Sequence, residues 1–195
     1  MQVDLNKEFQ LPGSANAGWT FLQDIKSVAA CMPGAEITEE LGNNQYKGKV
    51  KAKIGPATMA FNGDIDIKNI NAETMSLQMI GKGQDSKGSS SATMDLTATI
   101  IVNDDGTCYL KGDAAVSVTG KLASLGGRMM TQVADQILNQ FGKNFANNVA
   151  AMGEGEAAEA AKEAVAEQPK EINGLAFAWS LFTGWFASLF GKKAG

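Results

Sequence analysis

Residues 46–54 have the sequence YKGKVKAKI, in which every second residue is lysine. Because successive side chains of a β-strand point to opposite faces, this alternation predicts a strand with one largely apolar face and one lysine face. Two such different faces are typical of an antiparallel sheet that packs against a core on one side and meets solvent on the other.

This strand is one of six in a row, separated by clusters of turn-forming residues. The clusters lie at residues 42–44, 55–56, 69–73, 85–88 and 103–106. Another strand, Val3–Leu11, comes before them. Two short helices follow it, the first capped by Ser14 or Asn16 and the second stopped by Pro33.

A helix of about 25 residues is predicted from Ser124 to Val149, because apolar residues recur there at helical spacing. These residues are Leu125, Met129, Val133, Ile137 and Phe141. The element order is one strand, two short helices, six strands and one long helix, which is typical of an α+β fold. We therefore predict a curved seven-stranded antiparallel sheet wrapped around the long C-terminal helix.

Composition divides the chain of 195 residues into three parts. Residues 1–150 have the mixed pattern of one globular domain. Residues 151–173 are predicted to be a flexible linker, because residues 153–171 are almost only Ala, Glu and Gly and are expected to bury no face. Residues 174–195 form a separate apolar tail.

The composition also excludes several classes of protein. A net charge of −4 excludes a basic protein that coats nucleic acid, and the absence of histidine removes His-based triads and imidazole metal sites. We predict no metal site. Cys31 and Cys108 are too few for a disulfide framework and are predicted to be small buried hydrophobic residues. Residues 1–7 are too polar for a secretory signal, which predicts that the chain starts in the cytoplasm.

The inward-facing positions of the strands combine glycines with methionines. The glycines are Gly48, Gly63, Gly81, Gly83, Gly112 and Gly120, and the methionines that join them are Met59, Met75, Met79, Met94 and, from the long helix, Met129. One interpretation is a cavity for a flexible hydrophobic ligand, because glycine leaves volume unfilled and methionine forms adaptable walls. The other is a curved, well-filled core whose glycines only relieve crowding.

The candidate ligand-binding residues of that cavity come from the strands and the long helix. They are Met59, Phe61, Leu77, Met79, Gly81, Gly83, Met94, Leu96, Ala98, Val116, Val118, Met129, Val133, Ile137 and Phe141. Filling the cavity by Gly83→Phe or Ala98→Trp is expected to abolish ligand retention without unfolding the protein.

Two sets of polar residues each allow two interpretations. Gln140 and Asn144 share the arc of Met129 on the long helix, so they either bond a ligand carbonyl or mark a solvated helix end. The lysine stripe of residues 47–53 is either a docking surface for anions or a protective face, paired with Asp64 and Asp66.

The tail is strongly apolar, since twelve of the sixteen residues from 175 to 190 are apolar and six are aromatic. As a helix it would be about 24 Å long, shorter than the roughly 30 Å hydrocarbon core of a bilayer. An apolar face followed by lysines is typical of a helix that lies in the membrane interface, although the weak polar face also allows a deeper or tilted insertion. The alternative is a helix that docks in an apolar groove of a partner protein. The residues predicted to contact the membrane are Leu175, Phe177, Trp179, Phe182, Trp185, Phe186, Leu189, Phe190, Lys192 and Lys193.

Several motifs are familiar in their order and spacing. They are VAACMPGA at 28–35, GKVKAKIGP at 48–56, Phe61-x-Gly63, GKGQD at 81–85 with Gly88 and Ala92, and VSVTGKLASLG at 116–126. Together they resemble the CoxG family of carbon monoxide dehydrogenase subunits over residues 1–149, and the tail is similar to an extension of some members.

This resemblance implies a START-like helix-grip (SRPBCC) ligand-binding domain and association with a molybdenum-containing CO dehydrogenase at the cytoplasmic membrane. The expected function is a non-enzymatic carrier, peripheral to the cytoplasmic face of the membrane through its tail. It would deliver menaquinone or a similar quinone to the dehydrogenase, with no covalently bound cofactor and no nucleic acid partner.

Other functions remain open at this point. The domain could anchor CO dehydrogenase to the membrane without transporting a ligand, or it could bind lipids in general. An enzyme such as a cyclase or hydrolase would need carboxylates, for which Asp64, Asp66, Asp85 and Asp113 are candidates.

Overall fold

A computed structural model describes residues 1–54 and 57–167, with the backbone alone for residues 52–54 and 57. Seven strands and four α-helices follow one another along the chain. They are β1 (Gln2–Leu11), α1 (Ala15–Gln23), α2 (Ile25–Ala30), β2 (Ala35–Gly42), β3 (Gln45–Ile54), β4 (Ala57–Asn71), β5 (Ser76–Asp85), β6 (Ser90–Val102), β7 (Cys108–Gly120), a 3₁₀ turn (Ala123–Leu125), α3 (Gly127–Ala151) and α4 (Glu156–Ala166).

The strands form one curved antiparallel sheet in the order β1-β7-β6-β5-β4-β3-β2. Consecutive strands from β2 to β7 are neighbours, and β1 pairs with β7 as the edge strand opposite β2. The predicted α+β class, strand number and long helix are therefore confirmed. The first strand begins one residue earlier than predicted, at Gln2.

The two ends of the sheet differ in packing. The turns at residues 43–44, 72–75 and 103–107 lie at one end, which we call the core end. Residues 86–89 and 121–126 lie at the other end, which we call the open end. Ring contacts join α1, α3 and β1 near the core end, with Phe21–Phe145 centroids 4.9 Å apart and Phe9–Phe141 centroids 6.1 Å apart. The buried cluster consists of Leu11, Phe21, Leu22, Cys31, Ile67, Leu77, Ala98, Ile100, Cys108, Leu110, Phe145 and Val149.

The long helix starts at Gly127, three residues later than predicted. Gly126 precedes it with a φ of +79°, a backbone conformation that favours glycine, and it separates the 3₁₀ turn from α3. An ion pair between Lys7 and Asp135 (2.7 Å) joins β1 to this helix.

The segment predicted as a linker contains a packed helix, α4. Its Ala158 and Ala161 side chains are buried, 2% and 8% exposed, and α4 contacts α3. The expectation that this segment buries no face was therefore wrong, because small alanine side chains allow two helices to approach closely. The boundaries assigned to domain, linker and tail remain predictions.

Both cysteines are free and buried, as predicted. Burial raises the pKa of the Cys31 thiol to about 12, and burial also raises the pKa of Cys108. Of the helices within residues 1–54 and 57–167, none has the length and hydropathy needed to cross a bilayer. The predicted membrane tail lies outside the described residues.

Candidate functional site: an apolar trough

Apolar residues of the inner sheet face lie half-buried near the open end, outside the buried cluster. Cross-strand pairing places Gly81, Met94 and Val116 in one row on this face. We call the partly exposed set the trough. Its members on the sheet are Met59, Phe61, Gly81, Gly83, Met94, Leu96 and Val116. We add Met129, Val133 and Ile137, the partly exposed candidates on the first half of α3, whose contact with this sheet face stays a prediction.

The other candidate residues lie in packed surroundings. Leu77 and Ala98 belong to the buried cluster, and Met79 and Phe141 pack against it. Val118 is 1% exposed, at the open end of β7. The structure thus brings the predicted residues onto one face but divides them between a core and a trough. Their contact with a ligand stays a prediction.

The inner glycines also divide into two kinds. A Cβ at Gly63 would come within 2.2 Å of the Lys82 carbonyl oxygen, and Gly120 has a φ of +68°, so backbone geometry requires glycine at both. In contrast, a Cβ at Gly81, Gly83 or Gly112 would meet its nearest neighbours at 3.7–3.9 Å. These are ordinary van der Waals distances, so a methyl group fits at all three positions without a shift of its neighbours. Glycine is therefore not required there by crowding, and the cavity stays a prediction.

Helix α3 leaves the trough accessible over its first half. Its buried residues, Gly142, Asn144, Phe145 and Val149, all lie in its second half. Met129, near the start of the helix, is 46% exposed, and Leu125, just before the helix, is 37% exposed. Apolar side chains with this exposure form an accessible apolar surface rather than a closed core.

Gln140 and Asn144 have a different role from either predicted one. Asn144 is 2% exposed, and its Nδ2 donates to the Cys31 carbonyl oxygen (2.9 Å), while Gln140 Nε2 donates to Asn144 Oδ1 (2.9 Å). The carbonyl of Cys31 lies at the C-terminal end of α2. This pair therefore joins α3 to α2, and the expectation of a solvated helix end was wrong.

The lysine stripe pairs with the edge strand β2. Lys47 contacts Glu39 and Lys49 contacts Glu36, each at 3.0 Å. Asp64 is the cross-strand neighbour of Lys47 on β4, as expected. Among the described residues, however, the stripe forms no ion pair with Asp64 or Asp66, and Asp66 pairs with Lys68 instead.

A polar groove of about 580 Å³ lies on the outer face of the sheet, away from α3. Its side chains include both charge signs, from Lys47, Asp64 and Lys82, and its floor contains Gly48, Gly63 and Gly83. This chemistry does not match the predicted apolar ligand. A second groove of about 410 Å³ lies between β1 and α3.

The aspartates considered for catalysis do not converge. Asp113 contacts Lys111 on the outer face, and Asp85 accepts a hydrogen bond from the Ser89 hydroxyl (2.6 Å), which lowers the pKa of Asp85. Within residues 1–54 and 57–167, no three His, Cys, Asp or Glu side chains are placed to hold a metal ion.

Sequence reasoning missed three basic residues at the open end, Lys87, Lys121 and Arg128. Each is an isolated positive charge in the sequence. The fold brings two of their segments together through a hydrogen bond from the Lys121 amide to the Ser89 carbonyl oxygen (3.1 Å). No local pattern in the sequence predicts that these two segments are neighbours.

Residues 8–150 match the family of carbon monoxide dehydrogenase subunits described as CoxG. This chain belongs to that family. No curated protein matches it in sequence. For this CoxG-family chain, the resemblance that the motifs indicated is confirmed.

Solved structures show the same fold at low sequence identity. A conserved protein from Geobacillus kaustophilus has a TM-score of 0.68 at 21% identity, over 76% of this chain and 95% of that one. A START superfamily protein from Mycobacterium smegmatis has a TM-score of 0.56 at 14% identity, over 77% and 99% of the two chains. The ZhuI aromatase/cyclase from Streptomyces sp. R1128 has a TM-score of 0.56 at 13% identity, over 80% of this chain and 100% of that one.

Membership of the CoxG family links this chain to CO dehydrogenase. The solved structures show the fold alone, since all three are below 25% identity to this chain.

Proposed function

We propose that this protein is a non-catalytic carrier of a respiratory quinone, menaquinone or a similar molecule, for a molybdenum-containing CO dehydrogenase. The observation that carries the proposal is the trough, where apolar side chains stay partly exposed beside Gly81 and Gly83, two glycines that crowding does not require. The dehydrogenase would reduce the bound quinone with the electrons released from CO.

The shape and chemistry of the trough suit a long, flexible, apolar ligand. Met59, Met94 and Met129 can adapt to an isoprenoid chain, because methionine has three rotatable bonds and a polarisable sulfur. Each methylene that leaves water contributes about 0.8 kcal/mol, so several isoprenoid units are enough for stable binding. The ligand would also cover apolar surface that the protein itself leaves exposed.

The tail of residues 174–195 would keep the carrier at the cytoplasmic face of the membrane. An amphipathic helix with aromatic residues and terminal lysines binds the bilayer interface without crossing it. The segment between α4 and the tail would let the domain move between the bilayer and the dehydrogenase.

The first test is to purify the full chain from membranes, extract it with organic solvent and identify bound molecules by mass spectrometry. Stoichiometric quinone, absent from an empty-membrane control, is the expected result. A different lipid would overturn the quinone assignment and favour general lipid binding. A folded protein with no ligand would instead favour an anchor for CO dehydrogenase.

The second test fills the trough. Gly83→Phe should abolish ligand retention, because its ring would occupy the trough, and circular dichroism checks that the variant is folded. A Cβ at this position meets its nearest atoms at 3.9 Å, an ordinary contact distance. Gly83→Ala is the matched control and should retain the ligand. Ala98→Trp is not a suitable test, since Ala98 is 6% exposed in the buried cluster and a large ring there would overpack it. Normal retention by a folded Gly83→Phe variant would rule out this trough.

A further inference from the structure

The open end of the sheet carries three basic side chains, of which Lys87 interacts electrostatically with the Asp85 carboxylate. Lys87, Lys121 and Arg128 are all exposed, and none has an ion-pair partner among the described residues. Hydrogen bonds from the backbone amides of Lys121 and Leu122 to Ser89 and Ser90 bring the 121–126 segment against the turn at 86–89. Lys87 and Lys121 therefore lie on adjoining segments, and Arg128 follows in the first turn of α3, two residues after the second segment. We call these three residues the basic rim.

The core end has the opposite charge. Its turns at residues 43–44, 72–75 and 103–107 contain Glu73, Asp104 and Asp105 and no lysine or arginine. Asp85, an acidic residue next to the basic rim, is 7% exposed and bonded to Ser89. The domain thus presents a positive end and a negative end, although its net charge is negative.

Exposed apolar side chains accompany the basic rim. Leu125 and Met129 lie within four residues of Arg128 and are 37% and 46% exposed. Met129 also belongs to the trough, so the rim and the entrance of the trough share one end of the fold. Cationic residues around exposed apolar side chains are typical of surfaces that dock on anionic membranes.

From this juxtaposition we infer that the folded domain itself docks on an anionic lipid bilayer through the basic rim, with Leu125 and Met129 entering the headgroup region. Such docking is separate from attachment by the tail, and it turns the open end of the trough toward the lipid. The inference rests on the proposed function only for the identity of the bound ligand. The choice of an anionic bilayer as the docking partner follows from the charge and exposure of the rim alone.

A test on the full chain must separate docking of the domain from binding of the tail. An environment-sensitive fluorophore is attached to Ser124→Cys beside the rim or, as the matched control, to Asp104→Cys at the core end; both sites are exposed. The native thiols are 0% and 1% exposed, so the parent chain measures background labelling. The vesicles are quinone-free phosphatidylcholine, with or without about 30 mol% phosphatidylglycerol, and contain a headgroup nitroxide lipid as quencher.

The expected result is quenching of the label at position 124, but not at 104, that requires phosphatidylglycerol and is weakened by salt. The rim variant Lys87→Gln/Lys121→Gln/Arg128→Gln should lose that quenching while the tail keeps the protein in the floated vesicle fraction. Since a basic residue near an anionic surface contributes about fivefold to partitioning, the three changes together should weaken domain docking about 100-fold.

The control variant Lys26→Gln/Lys47→Gln/Lys143→Gln has the same net charge and should dock normally. Equal quenching at both label sites, quenching that does not require phosphatidylglycerol, or quenching that survives in the folded rim variant would each overturn the inference. Quinone found in the extracted protein with no docking would leave the proposed function standing. Docking without any extracted quinone would support the inference and contradict the proposed function.

Discussion

Asn144 illustrates how a single polar side chain positions the long helix. It is buried among apolar residues of the core end, and its amide donates to the carbonyl oxygen of Cys31, which is 113 residues away in sequence. Asn148 adds a hydrogen bond from its Nδ2 to the carbonyl of Asn144 (2.8 Å). The link holds α2 and α3 in one relative position, which in turn positions the trough residues of α3.

We predict that Asn144→Ala destabilises the protein by about 2 kcal/mol, because the buried Cys31 carbonyl would lose a partner and cannot reach water. Urea unfolding followed by circular dichroism measures the change. Asn139→Ala, at an exposed position of the same helix, is the control and should change stability by less than about 0.5 kcal/mol. Equal stability of the two variants would contradict this role.

Gly142 lies where α3 packs closely against Phe9 of β1. A Cβ there would lie 2.1 Å from Cδ1 of the Phe9 ring, so Gly142→Ala should force Phe9 and α3 apart. We expect a loss of about 1–3 kcal/mol from overpacking, although alanine is the better helix former. Gly127→Ala has open space around its Cβ and should be neutral or slightly stabilising in thermal unfolding. A more stable Gly142→Ala variant would show that this contact is loose.

These residues show where sequence-based prediction ends. The polarity of Gln140 and Asn144 was visible on the helix, but their partner, Cys31, becomes a neighbour only through folding. The room around Gly83 and the close contact at Gly63 look identical in the sequence, because both are inward glycines. Distances between residues far apart in sequence decide which partner a side chain finds and whether a glycine is required. A periodic sequence pattern holds no information about those distances.

Regular elements, in contrast, were predictable because their periodicity is local. The alternation in β3 and the apolar spacing of α3 predicted both element types. The predicted apolar stripe of α3 did not identify its buried face, since the buried residues are Gly142, Asn144, Phe145 and Val149. Helix α4 was missed as a packed element because its buried face consists of alanine, which has no periodic contrast with the surrounding alanines.

At the element scale we predict that Ala158→Glu/Ala161→Glu detaches α4 from α3. Glutamate cannot be accommodated where alanine is buried, and the loss should be about 1–2 kcal/mol because few methyl groups are involved. Hydrogen exchange of residues 156–166 should become fast while the sheet stays protected. The control Ala157→Glu/Ala160→Glu places the same charge at exposed positions of α4 and should change neither measurement.

The whole molecule combines a packed core end with an open end whose inner apolar side chains stay partly exposed. Stability is accordingly uneven, because cooperative protection follows buried contacts. All buried residues of α3 lie between 142 and 149, and its first half, residues 127–140, has none. A single helix thus serves two purposes, since its second half completes the core and its first half borders the trough.

This division predicts a ligand-dependent pattern of hydrogen exchange along α3. Without ligand, amides of residues 127–140 should exchange at least about tenfold faster than those of 141–151, because opening the first half exposes little that is buried. Reloading the extracted full chain with quinone should slow exchange in the first half, through contacts with Met129, Val133 and Ile137, and leave the second half unchanged as an internal control. Equal exchange of the two halves without ligand would show that the trough is closed. Protection confined to the second half on reloading would place the ligand elsewhere, because the proposed binding residues of α3 apart from Phe141 all lie in its first half.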